Sequence, residues 1–155
     1  MIMKAVVQHP LLIAATLFML SGCQNDGYLG DMFGTWRVDS FTKNGELVED
    51  ENVSLTTFSF QNNVVNVVLL TDEYHGAYSR FGSWKQLEGQ FTLDFTHHDD
   101  NNPQGTGTYQ APEWLEMTSE EPMVMSYSSK ESKRMTWIWR SAEGNTYVYK
   151  LSKTW

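Results

Sequence analysis

The sequence predicts an all-β domain, built as an antiparallel up-and-down β-barrel of about eight strands. Short runs rich in aromatic and β-branched residues, which favour strands, alternate along the chain with turns that contain Gly or Asn. Aromatic residues make up 14% of the chain, with 6 Trp, 7 Tyr and 8 Phe. The strands are not interrupted by a long amphipathic helix. Such a meander closes most simply into a barrel, which removes exposed strand edges, and a two-sheet sandwich is the alternative.

The predicted strands follow one another at short intervals. They cover residues 33–42, 55–60, 64–71, 74–85, 90–96, 108–110, 123–129, 134–140 and 146–153. Asn44-Gly45 is a strong hairpin signal after the first of them. Gly82, inside the fourth strand, predicts a bulge or a close approach by another part of the chain. Residues 111–117 contain Pro-Glu-Trp, which suits a single helical turn.

The first 23 residues predict export and a lipid anchor. Lys4 precedes an apolar run at 11–20, which is too short for an ordinary membrane-spanning helix but suits the core of a secretory signal peptide. The residues at 20–23, LSGC, resemble the box of bacterial lipoproteins, whose Cys is acylated and becomes the first mature residue. Cys23 is also the only cysteine in the chain. We therefore expect acylation of Cys23.

The predicted processing divides the chain into three parts. They are a signal peptide over residues 1–22, the lipidated Cys with its tether over residues 23–32, and a barrel domain over residues 33–155. Removal of the signal peptide leaves 133 of the 155 residues, which is enough for one domain with a sizeable core. Gln24 follows the anchor cysteine. An Asp at this position would favour retention in the inner membrane, and it is absent. We expect attachment to the outer membrane, facing either the periplasm or the outside.

The net charge of the chain limits the classes of partner that it is expected to bind. It has 11 basic and 19 acidic residues, and loss of Lys4 with the signal peptide takes the net charge from −8 to −9. An acidic surface repels phosphate backbones, so nucleic acid is not an expected partner. It also offers no basic patch to anionic lipid headgroups, so the acyl chains are expected to supply the membrane attachment.

The segment FGTWRV at 33–38 resembles the Gly-x-Trp opening of lipocalin-like barrels. The resemblance implies that Gly34 allows a tight approach at the closed end of the barrel and that Trp36 fills its base. It also implies that a basic residue near the last strand covers this Trp through a cation–π contact. Arg140, Lys150 and Lys153 are the candidates, and Lys153 is preferred.

The chain as a whole is similar to the small lipocalin-like, calycin-type lipoproteins of Gram-negative bacteria. The similarity rests on Cys23, on the polar tether, on the Gly-Thr-Trp strand and on the hairpin with its aromatic strand at 144–153. It covers most of the mature chain, but its motifs are short. The resemblance therefore supports the fold far more than a function.

Aromatic and methionine residues at inward-facing strand positions predict a cavity for a small apolar or amphipathic ligand. The residues expected to contact it are Trp84, Phe91, Phe95, Tyr127, Trp137 and Tyr147. Core packing explains the same residues without a ligand, because an eight-stranded barrel can be filled by its own side chains. The alternative function is an accessory protein-interaction module of an outer-membrane complex, docking through exposed aromatics such as Trp84, Trp114 or Trp155.

Candidates for catalysis or metal binding are few. The residue types that ligate divalent cations are His97, His98, Asp99 and Asp100, with His75, Asp72 and Glu73 as further members. Adjacent histidines at a strand end point to opposite sides, so a solvated polar loop is the preferred interpretation. The acidic pairs at 49–51, 99–100 and 120–121 would serve a glycosidase only if held across a cleft. With Cys23 committed to the anchor, no Gly-x-Ser-x-Gly elbow and no identifiable Ser partner for the histidines, we expect no catalytic residue. We also expect no metal and no cofactor.

Overall fold

The computed structural model describes residues 30–71, 77–97, 108–131 and 133–154, with the side chains of Thr108 and Lys130 excepted. Several predictions concern residues outside these ranges. They are the signal peptide, Cys23, the tether up to residue 29, Asp72, Glu73, His75, His98, Asp99, Asp100 and Trp155.

Within the described residues, ten strands form one sheet. They are β1 (Thr35–Lys43), β2 (Glu46–Leu47), β3 (Thr56–Gln61), β4 (Val64–Leu70), β5 (Ala77–Leu87), β6 (Gln90–Asp94), β7 (Thr108–Tyr109), β8 (Met123–Glu131), β9 (Arg134–Arg140) and β10 (Thr146–Lys153). One short helix, α1 (Glu51–Ser54), precedes β3, and 3-10 turns occupy Gly30–Met32 and Glu113–Leu115. The helical turn predicted within 111–117 is confirmed as the second of these 3-10 turns.

The sheet closes on itself. Strands β1, β3, β4, β5, β6, β8, β9 and β10 pair antiparallel with their neighbours in chain order. The last of them returns to the first, with Trp36 opposite Lys153 and Phe41 opposite Tyr149. Two short strands lie outside this path, β2 beside β1 and β7 parallel to β5. The predicted closed eight-stranded up-and-down barrel, the architecture of lipocalins, is confirmed, and the sandwich alternative is wrong.

The two ends of the barrel differ in their connections. At the end that we call the base, two-residue turns join β3 to β4 and β5 to β6, and Glu131 of β8 pairs with Arg134 of β9. The start of β1 and the end of β10 also lie there. At the opposite end, which we call the mouth, longer connections join β1 to β3 and β6 to β8. Asn44 and Gly45 both have positive φ, as a two-residue hairpin loop at the mouth requires.

Aromatic side chains dominate the interior. Alternation along β9 buries Met135, Trp137 and Trp139 and turns the intervening residues outward. Trp137 lies at the centre, with its ring 5.0 Å from those of Phe58 and Phe91 in edge-to-face geometry. Such aromatic pairs add about 0.5–1.5 kcal/mol each beyond the burial of their area.

Candidate ligand-binding interior

The base of the barrel is built around Trp36. Its Nε1 donates to the carbonyl of Met32 at 3.1 Å, which fixes the chain before β1 across this end of the barrel. Gly34 has φ +110°, a conformation that side-chain-bearing residues rarely adopt. The ammonium of Lys153 lies 5.3 Å from the centre of the Trp36 ring and 5.6 Å from that of Phe33. Gly34, Trp36 and Lys153 therefore meet at one place.

The other two basic candidates lie elsewhere. Arg140 ends β9 at the mouth, opposite Thr146, and its side chain is exposed. Lys150 occupies an outward-facing position on β10, where it is exposed opposite Thr136. Among the three, Lys153 is the one placed over Trp36.

The six residues expected to contact a ligand all lie at inward-facing positions. They are Trp84, Phe91, Phe95, Tyr127, Trp137 and Tyr147, of which all but the half-buried Tyr127 belong to the core. Four of them form one group around Phe60, namely Trp84, Phe91, Tyr127 and Trp137. The ring centres of Phe60 and Trp84 are 5.0 Å apart, and those of Phe91 and Tyr127 are 6.0 Å apart. Tyr147 stacks instead on Trp139 at 4.8 Å, nearer the mouth.

Phe95 has a separate role in packing. Its ring lies over Gly82, where a Cβ atom would stand 2.7 Å from the ring carbons. The close approach predicted for Gly82 is therefore confirmed, and the approaching group is a side chain of the core.

A segment that we call the plug, residues 111–117, closes the mouth. Ala111, Leu115 and Met117 are buried against the barrel core. The hydroxyl of Tyr149, at an inward-facing position of β10, donates to the carbonyl of Leu115 at 2.9 Å. Trp114 is half-buried and donates from Nε1 to Thr56 Oγ1 at 2.7 Å. Trp114 is thus a support of the plug, and Trp84 is buried, so neither is an exposed docking residue.

Charged contacts fasten the plug to the barrel. The ammonium of Lys43 donates to Glu116 Oε2 at 2.6 Å, and the hydroxyl of Tyr147 donates to the same oxygen at 3.1 Å. The bond to Glu116 raises the pKa of Lys43, and burial is the main cause that raises the pKa of Tyr147. Glu116 holds the left-handed conformation, with φ +52°. The sequence carries no signal for this cluster, because Lys43 and Glu116 are far apart in the chain and follow no motif.

The inner face of β5 carries the polar groups of the interior. Alternation turns Arg80, Gly82, Trp84 and Gln86 inward, opposite buried residues of β4 and β6. Gln86 Nε2 donates to the hydroxyl of Tyr127 at 2.8 Å. In contrast, Arg80 Nε and Trp84 Nε1 are buried and have no hydrogen-bond partner. Trp84 was predicted to contact a ligand, and Arg80 was not. Alternation along the strand from Trp84 indicates that Arg80 also points inward.

Charge is distributed unevenly between the two ends. The acidic residues around the mouth are Glu46, Glu49, Asp50, Glu51, Glu113, Glu116, Glu120, Glu121 and Glu143, against Lys43 and Arg140. Around the base, Arg37, Lys133, Arg134 and Lys153 stand beside Asp31, Glu88 and Glu131. The negative charge of the described residues is thus concentrated at the mouth, and the base is nearly balanced.

A groove of about 510 Å³ crosses the outer surface of β1, β8, β9 and β10. Its walls include Arg37, Asp39, Arg134, Lys150 and Ser152. Asp39 accepts from Arg37 Nη2 at 3.1 Å and from Ser152 at 2.8 Å. This groove carries charged side chains and lies outside the barrel, so it is distinct from the aromatic interior.

Other classes of site find little support in the described ranges. No three His, Cys, Asp or Glu side chains there are grouped so that they could hold a metal ion. Of the candidate metal ligands, His97 is described, and its ring contacts that of Tyr109 at 5.9 Å. No helix in the described part of the chain has the length and apolar character needed to cross a membrane.

Comparison with known proteins finds likeness in structure but not in sequence. No protein family matches the chain, and no curated protein does. An uncharacterized protein from Bacteroides eggerthii DSM 20697 superposes with a TM-score of 0.50 at 12% identity, over 77% of this chain and 98% of that one. Odorant Binding Protein OBP1 superposes with a TM-score of 0.35 at 10% identity, over 79% of this chain and 71% of that one. The first likeness shows a shared fold and nothing more.

Proposed function

We propose that this chain is a lipid-anchored envelope protein whose barrel binds a small apolar or amphipathic molecule in its interior, without catalysis. One observation carries the proposal. Trp84 is only 6% exposed, and its indole N–H has no hydrogen-bond partner inside a closed, aromatic barrel. A buried donor left unpaired costs about 1–3 kcal/mol, so such a group calls for an acceptor. A ligand that carries one supplies it.

A second indole supports the same conclusion. Trp137 is fully buried, and its Nε1 donates to the thioether sulfur of Met135 at 2.9 Å, which is a weak acceptor. Trp84 and Trp137 both contact the ring of Phe60. Two poorly satisfied N–H donors whose rings both contact Phe60 favour an apolar molecule with an oxygen or nitrogen acceptor. Met123 and Met125 lie in the same core and adapt readily to a guest.

The anchor fits the geometry of the base. The described chain begins at Gly30, which lies at the base before β1. The tether residues 24–29 reach at most about 20 Å when extended. Acylation of Cys23 would therefore hold the base close to the bilayer and direct the acidic mouth away from it. Outer-membrane attachment, facing the periplasm or the outside, is part of the proposal.

The proposal is tested by titrating octanol into the mature protein in lipid nanodiscs, with empty nanodiscs as the blank. We expect saturable shifts of the Trp84 and Trp137 indole N–H resonances in ¹⁵N NMR spectra. The matched variants are Trp84→Phe, which removes the donor and keeps a ring, and Trp139→Phe. Trp84→Phe should weaken octanol binding several-fold, since a neutral hydrogen bond is worth about 0.5–1.5 kcal/mol, and Trp139→Phe should leave it unchanged. Resonances that do not move would contradict interior binding.

The outer groove supports a second candidate function, docking of an envelope protein. Its lining of Arg37, Arg134 and Lys150 beside Asp39 offers charged hydrogen-bond partners to a protein surface. Pull-down from detergent-solubilised envelope with wild-type protein and with Arg134→Ser tests it. A stoichiometric partner that is lost with the variant supports docking, and equal recovery with both proteins contradicts it.

A further inference from the structure

Arg80 is a charged residue inside the barrel. It pairs across the sheet with Val67, which is fully buried at an inward-facing position of β4. It lies four residues before Trp84 on the same face of β5, about 13 Å along the strand. Its Cβ therefore points to the interior, and its side chain is half-buried there.

The guanidinium of Arg80 has no counter-ion among the described residues. No acidic side chain in the described ranges occupies an inward-facing strand position. Glu116, near the mouth, is bound by Lys43, and Asp39, on the outer surface, is bound by Arg37. Arg80 Nε is buried without an acceptor. A buried guanidinium N–H without an acceptor is costly, and the positive charge that it belongs to favours an anionic acceptor.

The geometry points to a carboxylate-bearing apolar molecule as the ligand, and we propose that Arg80 pairs with its acid group inside the barrel. This inference rests on the proposed function. The planar guanidinium matches a carboxylate with two parallel hydrogen bonds. The apolar part of the molecule would lie against the aromatic group around Phe60 and Phe91. Trp84, on the same face of β5 as Arg80, contacts this group through Phe60.

The acidic mouth opposes the approach of an anion, but it does not cancel the pairing. Its carboxylates lie in exposed loops, where salt screens their repulsion over about 8 Å at physiological ionic strength. A contact inside the barrel is screened much less. The affinity for an anionic ligand should therefore rise when salt is added to a low-salt buffer.

The test compares octanoate with octanol, which have the same apolar length and differ in charge. Calorimetric titration uses the mature protein in nanodiscs near neutral pH, with empty nanodiscs subtracted. We expect octanoate to bind wild-type protein at least about tenfold more tightly than octanol. Arg80→Met should remove this preference, Arg80→Lys should restore part of it, and Lys85→Met, at an exposed outward position of the same strand, should preserve it.

The outcomes separate this inference from the function on which it rests. Equal binding of octanoate and octanol to wild-type protein would overturn the role of Arg80 and leave interior binding intact. An octanoate preference that survives Arg80→Met would overturn it as well. Binding of neither compound would overturn both. If Arg80→Met does not fold, the wild-type ratio and the Arg80→Lys variant still decide the question.

Discussion

Gly82 marks a point in the barrel wall where the core leaves no room for a side chain. A Cβ added there would stand 2.7 Å from the Phe95 ring and 2.9 Å from the carbonyl oxygen of Asp94. We expect Gly82→Ala to lower the free energy of unfolding by about 1–3 kcal/mol, as overpacked cores do. Urea unfolding followed by Trp fluorescence measures this loss.

Two further variants make the test of Gly82 specific. Ser83→Ala, at the next and outward-facing position, should change the free energy of unfolding by less than about 0.5 kcal/mol. Phe95→Leu combined with Gly82→Ala should cost less than the sum of the two single changes, because the smaller side chain makes room for the methyl group. Strict additivity would contradict the steric explanation.

Tyr149 makes the barrel sensitive to alkali. Burial raises the pKa of its hydroxyl well above the usual value of 10.0. A group whose pKa is raised in the folded state stabilises the fold fully below its unfolded pKa, and this contribution is lost as the pH rises toward the folded pKa. We therefore expect the free energy of unfolding to be steady with respect to this group up to about pH 10 and to fall above it.

The Tyr149→Phe variant isolates this contribution. Near neutral pH it should lower the free energy of unfolding by about 1–3 kcal/mol, because the carbonyl of Leu115 loses its hydrogen-bond partner. Above pH 10 the variant should lose less stability than wild-type protein does. Part of the loss should remain in the variant, because the pKa of Tyr147 is also raised. The control is Tyr78→Phe at an exposed position. Parallel pH profiles for wild type and Tyr149→Phe would contradict this account.

We expect the plug to control the access of ligands to the interior. Its contact between Lys43 and Glu116 is more than a third exposed, so solvent screens it and it contributes little to stability. We expect Glu116→Gln to change the free energy of unfolding little and to accelerate octanol binding, because the plug opens more often. Stopped-flow Trp fluorescence measures that rate. Glu120→Gln, at an exposed neighbouring position, is the control, and equal rates in all three proteins would show that ligands enter elsewhere.

The elements that sequence analysis predicted are those whose signals are local. Alternation such as that of Phe91 and Leu93 marks a strand with one buried face, and Asn44-Gly45 marks a tight turn. The two-residue strand β2 and the helix α1 were missed, because each is too short to show a period. Asp50, whose carboxylate caps α1 by accepting from the amide of Asn52 at 2.8 Å, was the one local signal for that helix.

The candidate site was less predictable than the strands. Inward aromatics such as Trp84 and Trp137 follow from alternation, but which N–H groups lack partners depends on packing between strands that are distant in sequence. The contact of Glu116 with Lys43 likewise joins residues that are 73 positions apart in the chain. Net charge predicted an acidic surface, whereas its concentration at the mouth depends on which loops the topology brings to one end.

At the scale of the whole molecule, we expect attachment to the envelope to depend on Cys23. Mass spectrometry of the mature chain should show acyl chains on this residue, and Cys23→Ala should abolish both the added mass and recovery in the membrane fraction. Ser21→Ala serves as the control, since the anchor cysteine is intact. A Cys23→Ala protein that still fractionates with the membrane would contradict lipid anchoring.

The central claim is that the closed barrel holds a small molecule. Native mass spectrometry of the mature wild-type protein, taken gently from its native membrane into nanodiscs, tests this claim most directly. The account predicts one additional small mass that is retained by the folded protein, leaves on unfolding and is diminished in Trp84→Phe. A protein of bare mass that unfolds cooperatively would contradict the claim and would indicate a packed barrel that acts through its outer surface.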